Sequence, residues 1–366
     1  MIKGIRIVLS LTVCFMLIGA FGQAPSAQAA PATPPQFQQI FSKSGDAGIR
    51  APQDSAAAIA AMWTTEARQA AKPLDVNFKA SDLAGISADT SVGAPVYKPG
   101  GAPNPEALAK WTASNNRQAT DLPTLQAPSL VTPQGTKGVF DGYPGNYSSI
   151  FYQSYPFYAV GRLYFQDSIG SYWCTAALMS PNNIAVTAAH CMWNADAHFW
   201  YYNFAFVPDD YYGSGPEGVF PYTIGWVNVA WRYAKKASSA LAYDVGVLQF
   251  EYDPVYYFGY LGYTMNQSTK SLVTSIGYTT NFFSGGPTWV CVAETYSKKS
   301  GVIGQGCDMN NTAEGSPAIL NFVPFYSGTY INLAEAVIIG GATGTNIYST
   351  IFTTKNLVTI CTEIGC

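Results

Sequence analysis

Histidine is nearly missing from this sequence. The 366-residue chain holds two, His190 and His198, so any imidazole chemistry near neutral pH must use one of them. Charge is scarce too. Only 11% of the residues are charged, and a formal net charge of -3 leaves no basic footprint, which removes nucleic acid from the candidate partners. Beyond the N-terminus no apolar run is long enough for a bilayer crossing, so no membrane partner is expected. Between Cys14 and Cys174 there is no cysteine. Over most of that interval, residues 30–137, aromatics are also sparse, while Ala, Pro, Gln and Ser are frequent.

What is present is apolar and rich in turn formers. A hydrophobic share of 48% can bury a large core, and abundant Tyr, Phe, Gly and Pro suit short strands joined by turns. Mostly β structure is expected. At the N-terminus, Lys3 and Arg6 precede the apolar run 7–21, and Ala27-Gln28-Ala29 offers a small-residue cleavage site before Ala30. This pattern marks residues 1–29 as a secretory signal and implies a secreted protein, extracellular or periplasmic. Removing the signal takes Cys14 and leaves six cysteines. An even number in an exported protein favours disulfides over metal thiolates.

Residues 30–137 read as a propeptide or leader, partly helical or disordered. Residues 55–71 can form an amphipathic helix with Ile59, Met62 and Trp63 near one face, and 105–119 can form another. Either this segment chaperones or inhibits the domain C-terminal to it, or it is a loose leader. Lys137-Gly138 offers a processing site. Past Gly138 the texture changes to short apolar or alternating segments. Strands are expected at 157–165, 174–179, 184–187, 199–207, 222–230 and 245–250, then at 272–278, 288–295, 318–322, 331–339 and 347–352. That count alone allows a sandwich as readily as a pair of barrels.

Three stretches carry chemistry. Thr187-Ala188-Ala189-His190-Cys191 comes after an apolar run and holds an imidazole between small residues. Tyr243-Asp244-Val245-Gly246 places a carboxylate just before an apolar strand. Cys307-Asp308 leads through Thr312-Ala313-Glu314 to Gly315-Ser316-Pro317. Together with Cys174, these stretches resemble the trypsin-like (chymotrypsin-fold) serine peptidases, and among them secreted bacterial members of the glutamyl-endopeptidase type. The resemblance covers roughly the C-terminal two-thirds of the chain. It implies an all-β fold of two antiparallel β-barrels, at 138–255 and 256–366, working without a cofactor. It also implies His190 as general base, Asp244 as the carboxylate that orients it, and a Cys174–Cys191 bridge beside the histidine. Cys291 with Cys307, and Cys361 with Cys366, are then the local pairs that remain, the last without a family counterpart. His198 reads as a surface or core filler, and Asp209 and Asp210 as residues of a polar loop.

The nucleophile segment departs from the family. Related bacterial peptidases resemble C-D-x-x-x-G-x-S-G-[GS]-P, and a gapless match puts Glu314 where the serine belongs. It also puts Thr312 where a glycine helps build the oxyanion hole. Ser316 is an alternative nucleophile, but it lies two residues along, several ångström from where contact with the imidazole requires it. The stretch Ile339-Gly340-Gly341 resembles the wall of the specificity pocket, with Ile339 where glutamyl endopeptidases carry a histidine. An apolar preference is the consequence. The leading expectation is a secreted, catalytically inactive peptidase homologue that binds a peptide or protein in the former cleft. The alternatives are an active secreted endopeptidase using Ser316 or another site, and a metal site at Glu314, His190 and Asp244, which zinc chemistry disfavours. No residue pattern points to a particular oligomeric state.

Overall fold

The computed structural model describes residues 38–42, 45–52, 55–75, 93–114, 143–144, 154–215, 218–280, 286–299, 301–309, 312–324, 331–342 and 346–366. The expected secretory signal, Lys137-Gly138 and residues 115–119 of the second expected helix lie outside them.

The stretch 30–137, expected as a leader, supplies more than helices. It contains β1 (Gln38–Phe41), β2 (Ala47–Arg50), α1 (Ala56–Met62), α2 (Thr65–Ala70), β3 (Lys72–Pro73), β4 (Val96–Lys98) and α3 (Pro105–Ser114), and the short β5 (Tyr143–Pro144) comes after it. Next come β6 (Val160–Gln166), β7 (Ser171–Leu178), β8 (Ile184–Thr187), the hairpin β9 (Trp193–Asn194) and β10 (Phe199–Trp200), β11 (Tyr202–Pro208), β12 (Phe220–Val227), α4 (Val229–Arg232) and β13 (Gly246–Phe250). The short helix α5 (Pro254–Phe258), capped by Asp253, leads to β14 (Gly262–Met265). The remaining elements are β15 (Leu272–Tyr278), β16 (Thr288–Lys299), β17 (Val302–Gln305), β18 (Pro317–Leu320), β19 (Leu333–Ala342), β20 (Asn346–Ile351) and α6 (Leu357–Ile364).

Pairing around β6-β7-β8-β13-β12-β11 returns to β6 and closes a first six-stranded antiparallel barrel. Pairing around β15-β16-β17-β20-β19-β18 closes a second. Closure gives each strand of a ring a neighbour on both sides, which is how short strands of this composition limit edge-to-edge association. The all-β, two-barrel expectation is met. Strands at 184–187 and 272–278 fall where the apolar pattern puts them. The expected strand at 222–230 stops at Val227 because Asn228 caps α4, its side chain accepting from Ala230 N at 2.8 Å. The pattern gave no sign of β17, whose four residues include a glycine.

Segments of the stretch 30–137 lie on both barrels. β2 adds to β12, with Ile49 opposite Gly225, and β4 adds to β14. Residues 55–71 form two helices rather than one, since Trp63 leaves the first and Thr64 caps the second by accepting from Ala67 N at 3.2 Å. The break turns the Trp63 indole into the core, where Nε1 donates to Asn203 O at 2.7 Å. Trp111 of α3 packs against Phe220, Tyr257 and Phe258. Few aromatics serve this stretch, and these two are its anchors.

Two buried polar features stand out. Arg162 lies between the rings of Trp173 and Tyr278, at 4.5 and 4.6 Å, and pairs with Asp210 Oδ2 at 2.9 Å. Asp210, expected in a polar loop, is buried and also accepts from Tyr164 Oη and the Gly213 and Gly215 amides. On β19, Glu335 is 1% exposed, and neither carboxylate oxygen has a hydrogen-bond partner among the described residues. Burial pushes its carboxyl up from 4.5 to about 8.

Candidate active site

His190 sits in the 3-10 turn Ala189–Cys191 just after β8, and Asp244 ends the 3-10 turn Leu241–Tyr243 that precedes β13. β8 and β13 are neighbours, with Thr187 opposite Gly246, so the two turns meet at one end of the barrel. Gly246 permits the approach: a Cβ there would lie 2.5 Å from Met192 Sδ and 3.2 Å from Ala189 Cα. Asp244 then takes the His190 main-chain N–H on Oδ1 at 2.8 Å and faces ring Nδ1 with Oδ2 at 2.8 Å. A carboxylate only accepts, so Nδ1 carries the proton of that bond. The histidine is 3% exposed and the aspartate 0%.

The second barrel and the C-terminal segment hold this turn from the other side. Thr350 Oγ1 donates to Leu241 O at 2.5 Å, and Asn356 Nδ2 donates to Ala242 O and to Ile351 O, both at 2.9 Å. Asn356 Oδ1 accepts from Thr353 N and Leu357 N at 2.8 and 2.6 Å. Neither residue belongs to a motif in the sequence. Asn356 as the cap of α6, with Gly365 in the left-handed region at the far end, was the available signal.

Glu314 is tied to β7 by its backbone. Its carbonyl accepts from Thr175 N at 2.8 Å. Thr175 is next to Cys174, which is bridged to Cys191, and Cys191 is next to His190. Gly315, at φ +82°, donates to Ile338 O at 2.8 Å, and a Cβ there would overlap Thr175 O and Thr187 Oγ1. Only glycine can cross so close to β7 in that conformation. Thr187 Oγ1 also donates to Thr175 O at 2.8 Å. Glu314 itself is 1% exposed.

The other expected site residues have varied surroundings. Thr312 is buried, and its Oγ1 accepts from Thr280 N at 2.6 Å. Ser316 is fully buried, with Oγ packed where a Cβ of Gly277 would be and without a hydrogen-bond partner among the described residues. Ile339 lies in the main core, Gly340 takes φ +143° at a bulge of β19 against β20, and Gly341 pairs with Ile347. His198 is exposed in the turn between β9 and β10. All three cysteine pairs, Cys174–Cys191, Cys291–Cys307 and Cys361–Cys366, are disulfides. Cys174, Cys191 and His190 cluster within 4.8 Å, but the bridged sulfurs are not thiolates and offer no metal ligand.

Two closed six-stranded barrels, with a buried His–Asp pair at one end of the first, define the chymotrypsin-like fold of the trypsin-like serine proteases. No family model matches the sequence, and no curated relative does. Among solved structures, the protease Anisep of Arthrobacter nicotinovorans is similar at a TM-score of 0.50 and 19% identity, over 58% of this chain and 97% of that one. A thermostable serine protease, AL20, from an extremophilic microorganism matches at 0.47 and 19%, over 54% and 93%. A Glu endopeptidase matches at 0.47 and 16%, over 58% and 94%.

Proposed function

We propose that this protein is a secreted homologue of the trypsin-like serine peptidases that has lost catalysis and keeps its cleft to bind a peptide or protein. The observation that carries this reading is the seat of Glu314, whose carbonyl is bonded to Thr175 beside the Cys174–Cys191 bridge and His190. An acid side chain stands where a hydroxyl would have to attack. Such a carboxylate has no O–H for His190 to deprotonate, and an acyl group transferred to it would form an anhydride. Thr312 deepens the departure, since its side chain is tied to Thr280 N where the family has glycine.

The alternative of an active endopeptidase using Ser316 requires Oγ within about 3 Å of the imidazole. Instead Ser316 Oγ is packed against Gly277, without a hydrogen-bond partner among the described residues. A metal held by Glu314, His190 and Asp244 requires a common centre, yet both Asp244 oxygens are committed to His190. No cofactor, nucleic acid or membrane enters the reading. The three disulfides support an oxidising location, extracellular or periplasmic.

A fluorophosphonate label tests it. Purified protein is expected to stay unlabelled, and Glu314→Ser combined with Thr312→Gly is expected to become labelled and to cleave peptides. Labelling of the wild type at any serine in the cleft would sink the proposal.

A further inference from the structure

The edge of β7 that faces the candidate site is filled by this chain itself. Alternate residues of a strand present their main-chain groups to the same edge, and here those residues are Trp173, Thr175 and Ala177. Ala177 pairs with Val186 of β8. Thr175 N donates to Glu314 O at 2.8 Å, and Trp173 O accepts from Leu74 N at 3.0 Å. The occupant at Trp173 is therefore β3, which runs parallel to β7 with Lys72 opposite Tyr172 and Pro73 opposite Trp173. It lies two residues, roughly 7 Å of strand, from the bond that seats Glu314.

β3 is delivered firmly but paired weakly. Its delivery rests on the buried Ile59 and Trp63 and on Arg68, whose Nε donates to Gly213 O at 2.8 Å. The pairing itself is two residues long and parallel, and Pro73 contributes no N–H to it. Lys72 is exposed, and Leu74 is half-buried against the main core. Extended peptides bind sheet edges by main-chain pairing, with alternate side chains entering pockets. A peptide lying beside Glu314 and running along β7 meets the acceptor at Trp173 O, and Leu74 already holds it.

We propose that residues 71–75 are a built-in competitor for the site: an extended peptide bound beside Glu314 pairs with β7 at Trp173, and it enters by displacing β3 from that edge. The proposal rests on the reading that the cleft holds a peptide. It adds that an apolar residue at the register of Leu74 is part of what the edge accepts.

The probe is a fluorescein-labelled synthetic peptide of residues 69–77, supplied in trans to the purified, disulfide-intact protein and read by anisotropy. Leu74→Pro removes the N–H that donates to Trp173 O. The triple replacement Lys72→Gly, Pro73→Gly, Leu74→Gly loosens β3 without adding a proline. Both variants are expected to bind the probe at least tenfold more tightly than wild type. Hydrogen exchange over residues 171–175 should rise in both and fall again once the probe is bound. Equal probe affinity in all three proteins overturns the proposal, as does unchanged exchange, or raised exchange with no binding. A Glu314→Ser, Thr312→Gly protein that cleaves peptides equally fast with and without the β3 replacement sinks the competitor and leaves the cleft reading standing. Failure of that protein to gain activity, with the probe binding as expected, overturns the assignment of Glu314 to the nucleophile position and leaves the competitor standing.

Discussion

Replacing Glu335 with glutamine should stabilise this protein above neutral pH and leave it unchanged in acid. The carboxyl is buried on β19 between two buried alanines, with no hydrogen-bond partner on either oxygen among the described residues. Its pKa is pushed from 4.5 to about 8 by burial. In the folded chain it keeps a proton that the unfolded chain releases between those values, so unfolding becomes easier as pH rises through that window. Below 4.5 both states hold the proton and nothing is lost; above about 8 the loss is complete. A displacement of that size corresponds to about 5 kcal/mol, an upper figure because water entry and relaxation reduce it. Glutamine keeps the shape and cannot ionise. Denaturant unfolding of wild type and Glu335→Gln from pH 4.5 to 9, with disulfides oxidised, should give coincident stabilities at the acid end and a gap of several kcal/mol at pH 9. The difference between the two proteins isolates this one group from everything else that titrates. A gap that is constant across pH would refute the reasoning, because it would mean that the carboxyl is not held protonated by the fold.

Arg162→Met should cost about 3 to 5 kcal/mol by leaving Asp210 buried without its cation, and adding Asp210→Asn should recover part of that loss. A single-variant loss below 1 kcal/mol in chemical denaturation would count against the pair as a structural fastening. On the proposed reading, peptides in the cleft should prefer an apolar residue at the specificity pocket, since Ile339 matches the position of the family's pocket histidine and no histidine follows His198 in the sequence. A panel differing only at that residue, compared by affinity, would contradict this if the glutamate peptide bound most tightly.

The parts of the structure that were readable in the sequence are those decided locally. Thr187 to Cys191 and Tyr243 to Val247 keep the small residues that let two turns approach, and the His190–Asp244 hydrogen bonds span them. Short strands rich in apolar and β-branched residues, such as β8 and β15, were legible for the same reason. What could not be read depends on partners far away in sequence. β1 to β4 are two to four residues long, and their pairing is set by the barrel edges they meet rather than by their own propensity. Arg162 finds Asp210 48 residues on, and a buried charge pair leaves no periodic trace. Thr350 and Asn356 fasten the Asp244 turn from another barrel and another helix, with only the helix cap to hint at them.

The hydrogen bonds that seat residues 313–316 run through main-chain atoms: the carbonyls of Ala313, Glu314 and Ser316 and the amides of Gly315 and Ser316. These bonds make no use of the side chain at 314, so they hold the loop whichever residue stands there. A substitution at 314 therefore leaves that part of the frame standing, which is what makes the Glu314→Ser replacement a practicable experiment.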